Sequence, residues 1–92
     1  MAFFKVDNRI FSFGLKPRDL AVYFCLCRHA DNKSGTCYPS RSKIAHECGL
    51  SGAETVDRAL KVLLELGLIE KQHQVAENGS YRSNLYRVLP LP

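Results

Sequence analysis

No apolar run in the 92-residue chain approaches the roughly 18 residues that cross a bilayer, so no membrane partner is expected. The N-terminus, Met1-Ala2-Phe3-Phe4-Lys5, has neither the apolar core nor the cleavage site of a secretion signal, and the expected location is the cytoplasm. The four cysteines, Cys25, Cys27, Cys37 and Cys48, contain no Cys-x-x-Cys pair. In a reducing compartment they are expected as free thiols behaving as small hydrophobes. Cys25 and Cys27 share a helix at a spacing that points them to nearly opposite sides, and His29, His46 and His73 stand singly in separate segments. No metal site and no other cofactor is expected. A glycine-rich phosphate loop is also lacking, because Gly35, Gly49, Gly52, Gly67 and Gly79 are isolated turn and capping residues. No Ser/His/Asp, Cys/His or paired-carboxylate arrangement stands out, so the chain is not expected to be an enzyme and no catalytic residue is assigned. Internal repeats and low-complexity segments are missing as well.

What is present is ordinary globular composition. Hydrophobic residues at 46% and charged residues at 24% place the chain outside the disordered class, and its length fits one domain over 1–92 with a single modest core. The net charge of +4 fits a polyanionic partner but does not establish one.

Local signals order the elements. The aromatic and β-branched stretch from Phe3 to Phe13 reads as a short strand or an extended arm over the core, broken at Gly14. Pro17 opens a first helix, with Asp19 in its first turn. Leu20, Phe24 and Cys27, with Tyr23 beside them, give that helix an apolar stripe. The turn formers 31–35 end it, and Thr36-Cys37-Tyr38 reads as a short strand stopped by Pro39. Ser40 caps a second helix from Arg41 to Cys48, and Gly49 closes it in the left-handed conformation. Ser51 and Glu54 form a capping-box pattern at the head of a third helix, from about Gly52 to Leu66. Val56, Ala59, Leu60 and Leu63 are its expected buried face. Beyond Gly67 a hairpin over about 68–89 is expected around Asn78-Gly79. A two-residue turn there sets Ile69 opposite Val88, Glu70 opposite Arg87 and Lys71 opposite Tyr86.

Two helices joined across a three-residue turn containing Gly49 must cross steeply, and Ala45, four residues before that glycine, lets them approach. This is a helix-turn-helix over about 40–66, in which the second helix lies in the major groove of DNA. The predicted class is mainly α (α+β): a winged helix-turn-helix, three helices with a C-terminal β-hairpin wing.

Pro39-Ser40, Ile44-Ala45, Gly49-Leu50-Ser51, Thr55 to Leu60, Leu63 and Gly67-Leu68-Ile69 together resemble the winged helix-turn-helix domains of bacterial plasmid and phage replication initiators and replisome organisers. Phe4-x-Lys-Val6, Ile10-Phe11 and Asn84-x-Tyr86 also match that group. The resemblance covers essentially the whole chain and implies double-stranded DNA binding. Transcription regulators share the same core, so both replication initiation and transcription regulation stay open. One departure is that Val56 falls seven residues after Gly49, where relatives place it six after. The extra residue, with Gly52 the candidate, lies in the turn or the first helical turn.

With the third helix oriented by its apolar stripe, Thr55, Asp57, Arg58, Lys61 and Val62 point outward or sideways, and the extra residue leaves open which of Gly52, Ala53 and Glu54 reaches the groove, with Ala53 the candidate. Arg58 and Lys61 share a face. Arginine grips guanine bidentately, and lysine reaches a base or a phosphate. Ser40, Arg41, Ser42, Lys43 and Ser51 suit phosphate contacts at the helix starts. Ser80, Tyr81 and Arg82 form the tip of the wing. Asp57 either orients Arg58 or Lys61, accepts from a cytosine amine, or is solvated. A homodimer, or a module of a longer protein, is the expected setting. The alternative is a protein-interaction or oligomerisation module, since Arg41 to Lys61 carries a net charge of only +1 (four cations against three carboxylates).

Overall fold

The structure, a computed structural model, describes residues 3–75 and 81–92, with the side chains of 73–75 and 81–83 excluded. A 3-10 helix, Asn8–Phe13, precedes α1 (Pro17–His29), β1 (Thr36–Cys37), α2 (Arg41–Cys48), α3 (Ala53–Glu65), β2 (Ile69–Val75) and β3 (Tyr81–Val88). Three helices and a small antiparallel sheet thus appear in the predicted order.

The aromatic N-terminal stretch is the first correction: no strand forms, and Asn8–Phe13 is a 3-10 helix, while residues 3–7 carry no regular structure and set Phe4 beside Phe24 and Val6 against the core. The Asp7 carboxylate accepts from the Arg9 backbone N–H at 2.9 Å, which starts a helical turn instead. Ile10 from that turn is fully buried, while Phe3 and Phe11 point outward.

In α1 the buried residues are Val22, Tyr23, Cys25 and Leu26, whereas Leu20, Phe24 and Cys27 lie half-buried at the rim of the core. The helix is covered by α2, α3, β1 and β3 together, so its hidden arc is turned away from the expected stripe. Asp19 is buried, and its carboxylate accepts from the Lys16 backbone N–H and from Arg18 Nε, both at 3.2 Å. It caps the helix by hydrogen bonding as well as by charge.

Ser40 Oγ accepts from the Lys43 backbone N–H at 3.1 Å, as the capping pattern predicts. Gly49 ends α2 at φ 69°, and the Leu50 N–H returns to the Ala45 carbonyl at 2.9 Å. A Cβ at Gly49 would meet no atom within 4 Å, so substitution costs only backbone strain. Gly49→Ala is therefore expected to lower stability by about 1–2 kcal/mol, measured by chemical denaturation with an unchanged m-value.

Helix α3 begins one residue later than expected. Gly52 is its N-cap, with no side-chain cap bond. Glu54 therefore occupies the second helical position rather than the third, out of reach of the reciprocal bond to Ser51, and the predicted capping box does not form. The extra residue lies in the turn, so four residues, Gly49 to Gly52, join the helices instead of three. The buried face of α3 is Val56, Ala59, Leu60 and Leu63, as its period predicts.

The sheet order is β1-β3-β2. Ile69 faces Val88, Glu70 faces Arg87 and Lys71 faces Tyr86, matching the expected register. Farther out, Gln72 faces Leu85 but Gln74 faces Arg82, so β3 spends three steps where β2 spends two. That is the signature of a bulge in β3. The Asn78-Gly79 turn lies outside the described residues.

Candidate nucleic-acid interface

The helix pair presents two surfaces next to one another: the start of α2 and the outer face of α3. Arg41, Ser42 and Lys43 are exposed on the first. Ser40 is also exposed, and its hydroxyl oxygen is engaged in capping. On the second, Asp57, Arg58 and Lys61 are exposed, Ala53 and Thr55 are half-buried, and Ser51 is exposed in the turn between the helices. Neither Arg58 nor Lys61 forms an ion pair among the described residues. The backbones of Tyr81 and Arg82 open β3, while Ser80 and the side chains of Tyr81 and Arg82 lie outside the described part.

Among the described residues the partner of Asp57 is Arg41, not Arg58 or Lys61. It pairs with Arg41 across the helix crossing: Arg41 Nε donates to Asp57 Oδ1 at 2.8 Å, and Nη2 contacts Oδ2 in a bidentate fork. Both side chains are half-exposed, so the pair adds at most about 1 kcal/mol to stability. Its larger effect is electrostatic. It offsets the Arg41 charge and leaves Lys43, Arg58 and Lys61 as the cations offered by the two helices.

A cleft runs between α3 and the sheet, lined by Arg41, Asp57, Lys61, Lys71, Asn84 and Tyr86. Tyr86 is buried, and its hydroxyl accepts from Asn84 Nδ2 at 3.4 Å. Lys71 lines this cleft although a lysine in strand β2 carries no local mark in the sequence of facing a helix. Asn84 and Tyr86, which belong to the pattern of the resemblance, line it too.

A second polar cluster ties α1 to α2. Glu47 Oε1 accepts from Arg28 Nη1 at 3.0 Å, lies 2.8 Å from His29 Nε2, and accepts from Cys25 Sγ at 3.6 Å. The hydrogen bond to His29 is the main cause holding the Glu47 carboxyl below the usual carboxylate range. Burial pushes the Cys25 thiol up to about 12. The packing of α2 on α1 thus brings Glu47 to Cys25 and His29, which share one helix.

Among the described residues no helix is long and apolar enough to cross a membrane. A family model described as a helix-turn-helix domain matches residues 14–69. No curated protein matches the chain. Among solved structures, the chain is similar to a possible transcriptional regulator from Methanosarcina mazei Go1, at 16% identity and a TM-score of 0.64, over 98% of this chain and 77% of that one. At that identity the likeness is one of fold.

Proposed function

The chain belongs to the helix-turn-helix domain family and has the winged helix-turn-helix fold, and from that premise we propose that it binds double-stranded DNA with α3 in the major groove. The observation that carries the reading is the pair Arg58 and Lys61, exposed on α3 without an ion pair among the described residues, beside the exposed start of α2. Arg58 reads a base edge, and Lys61 lies toward the cleft and the adjacent backbone. Thr55 and Ala53 face the groove floor at the head of α3. Ser42, Lys43 and Ser51 hold phosphates, with Ser40 positioning the α2 amides. Asp57 acts through Arg41, engaging its guanidinium and lowering the positive charge that the interface offers to phosphates. Tyr81 and Arg82 extend the footprint along the wing.

The whole of 1–92 acts as one DNA-binding domain without catalytic chemistry, working as a homodimer or as a module of a longer protein. Regulation of transcription is the role favoured by the likeness to the possible transcriptional regulator of Methanosarcina mazei. A replication initiator, the role implied by the resemblance, uses the same interface. A second reading, a protein-docking module, draws on the exposed Phe3, Phe11 and Tyr38.

Fluorescence anisotropy of a labelled mixed-sequence duplex, repeated across a salt series, separates the two readings. DNA binding through phosphates must weaken steeply as salt rises. Lys43→Ala is expected to weaken all duplexes alike and to reduce the logarithmic salt slope by about 1. Undetectable binding at low salt would overturn the DNA reading in favour of protein docking.

A further inference from the structure

We propose that Cys25, His29 and Glu47 form a binding site for a borderline-soft divalent metal ion of the zinc class, bridging α1 and α2. Their donor atoms, one sulfur, one nitrogen and one oxygen, all lie within 4.8 Å of one another. Cys25 and His29 stand four residues apart on α1, the spacing that puts two ligands on one helical face. Glu47 comes from α2, so the site is closed by the packing of two helices.

Bond lengths of about 2.0–2.3 Å place neighbouring ligands of a tetrahedral zinc roughly 3.4–3.6 Å apart. Cys25 Sγ and Glu47 Oε1 are already 3.6 Å apart. His29 Nε2 and Glu47 Oε1, at 2.8 Å, must separate by roughly 0.6 Å. The fourth position is left for water.

The charges also match. A Cys25 thiolate and the Glu47 carboxylate balance a divalent ion, with His29 binding as the neutral imidazole through Nε2. Binding releases the thiol proton to solvent. Arg28 gives up its bond to Glu47, and its largely exposed side chain loses little by turning to water.

Titrating the reduced 92-residue chain with Co2+ tests the site, because a cobalt–thiolate bond produces a sulfur-to-metal charge-transfer absorption. The expected result is saturation at one equivalent and displacement of the band by Zn2+. His29→Gln and Glu47→Gln are each expected to weaken Co2+ binding by about tenfold or more, and Cys25→Ser to abolish the band. Cys27→Ser leaves both unchanged. Circular dichroism shows whether each variant is folded, and the two partly exposed side chains, His29 and Glu47, keep the test valid if Cys25→Ser unfolds. The proposal is overturned by a chain that shows no charge-transfer band at one equivalent. It is equally overturned by a band whose affinity is untouched in both His29→Gln and Glu47→Gln.

Discussion

Cutting Leu63 back to alanine is expected to destabilise the fold by about 2–5 kcal/mol. Leu63 has no exposed surface and belongs to the buried face of α3, a helix that packs against α1, α2 and β2. Removing its branched end leaves a void in the close-packed core, where the surroundings relax only partially. A chain of this size has only about 5–15 kcal/mol of net stability. Each kcal/mol corresponds to roughly 4–8 °C of melting temperature, so a thermal scan should show a drop on the order of 10 °C or more. Leu66→Ala, at the partly exposed end of the same helix, is the control and should change stability by less than about 1 kcal/mol. A Leu63 variant that melts with the parent would mean that the core is not packed around this side chain as the structure has it.

The two helices show why one face was legible in the sequence and the other was not. The apolar residues of α3 recur with the helical period and face a single packed side, so Val56, Ala59, Leu60 and Leu63 follow from spacing alone. Helix α1 is surrounded by four elements, and its apolar residues, several of them cysteine or aromatic, occupy much of the circumference. Period then cannot choose between Phe24 at the rim and Leu26 in the centre. The hairpin register was legible for a similar reason: pairing Glu70 with Arg87 also buries Ile69 and Tyr86. In the N-terminal stretch strand propensity gives way at Asn8–Phe13 to the Asp7 cap, a single side-chain bond that starts the 3-10 turn.

Contacts that cross the fold were the least legible. Arg41 and Asp57 are 16 residues apart, and their bidentate pair exists only because α2 and α3 cross at that point. Cys25, His29 and Glu47 meet over separations of 18 and 22 residues. In sequence each looks like a lone polar or sulfur side chain, and only the Cys25–His29 spacing hints at a shared face. Arg58 and Lys61 could be placed from sequence because outward direction on α3 follows from its buried stripe.

Arg58→Ala is expected to cost about 1–3 kcal/mol on a cognate duplex and to relax the preference at one base pair. The loss falls on affinity rather than on stability, because the side chain is exposed and forms no ion pair among the described residues. Anisotropy on the cognate site, beside duplexes carrying each substitution at one position, separates base reading from simple charge loss. Asp57→Asn makes the informative contrast. It removes a carboxylate from the proposed interface and releases Arg41 from its fork, so every duplex should bind more tightly and the salt slope should steepen by about 1. If Arg58→Ala weakens all sequences equally, the residue is a phosphate contact and α3 lies in the groove rotated from the orientation proposed. If neither change alters affinity, DNA does not meet this face of α3.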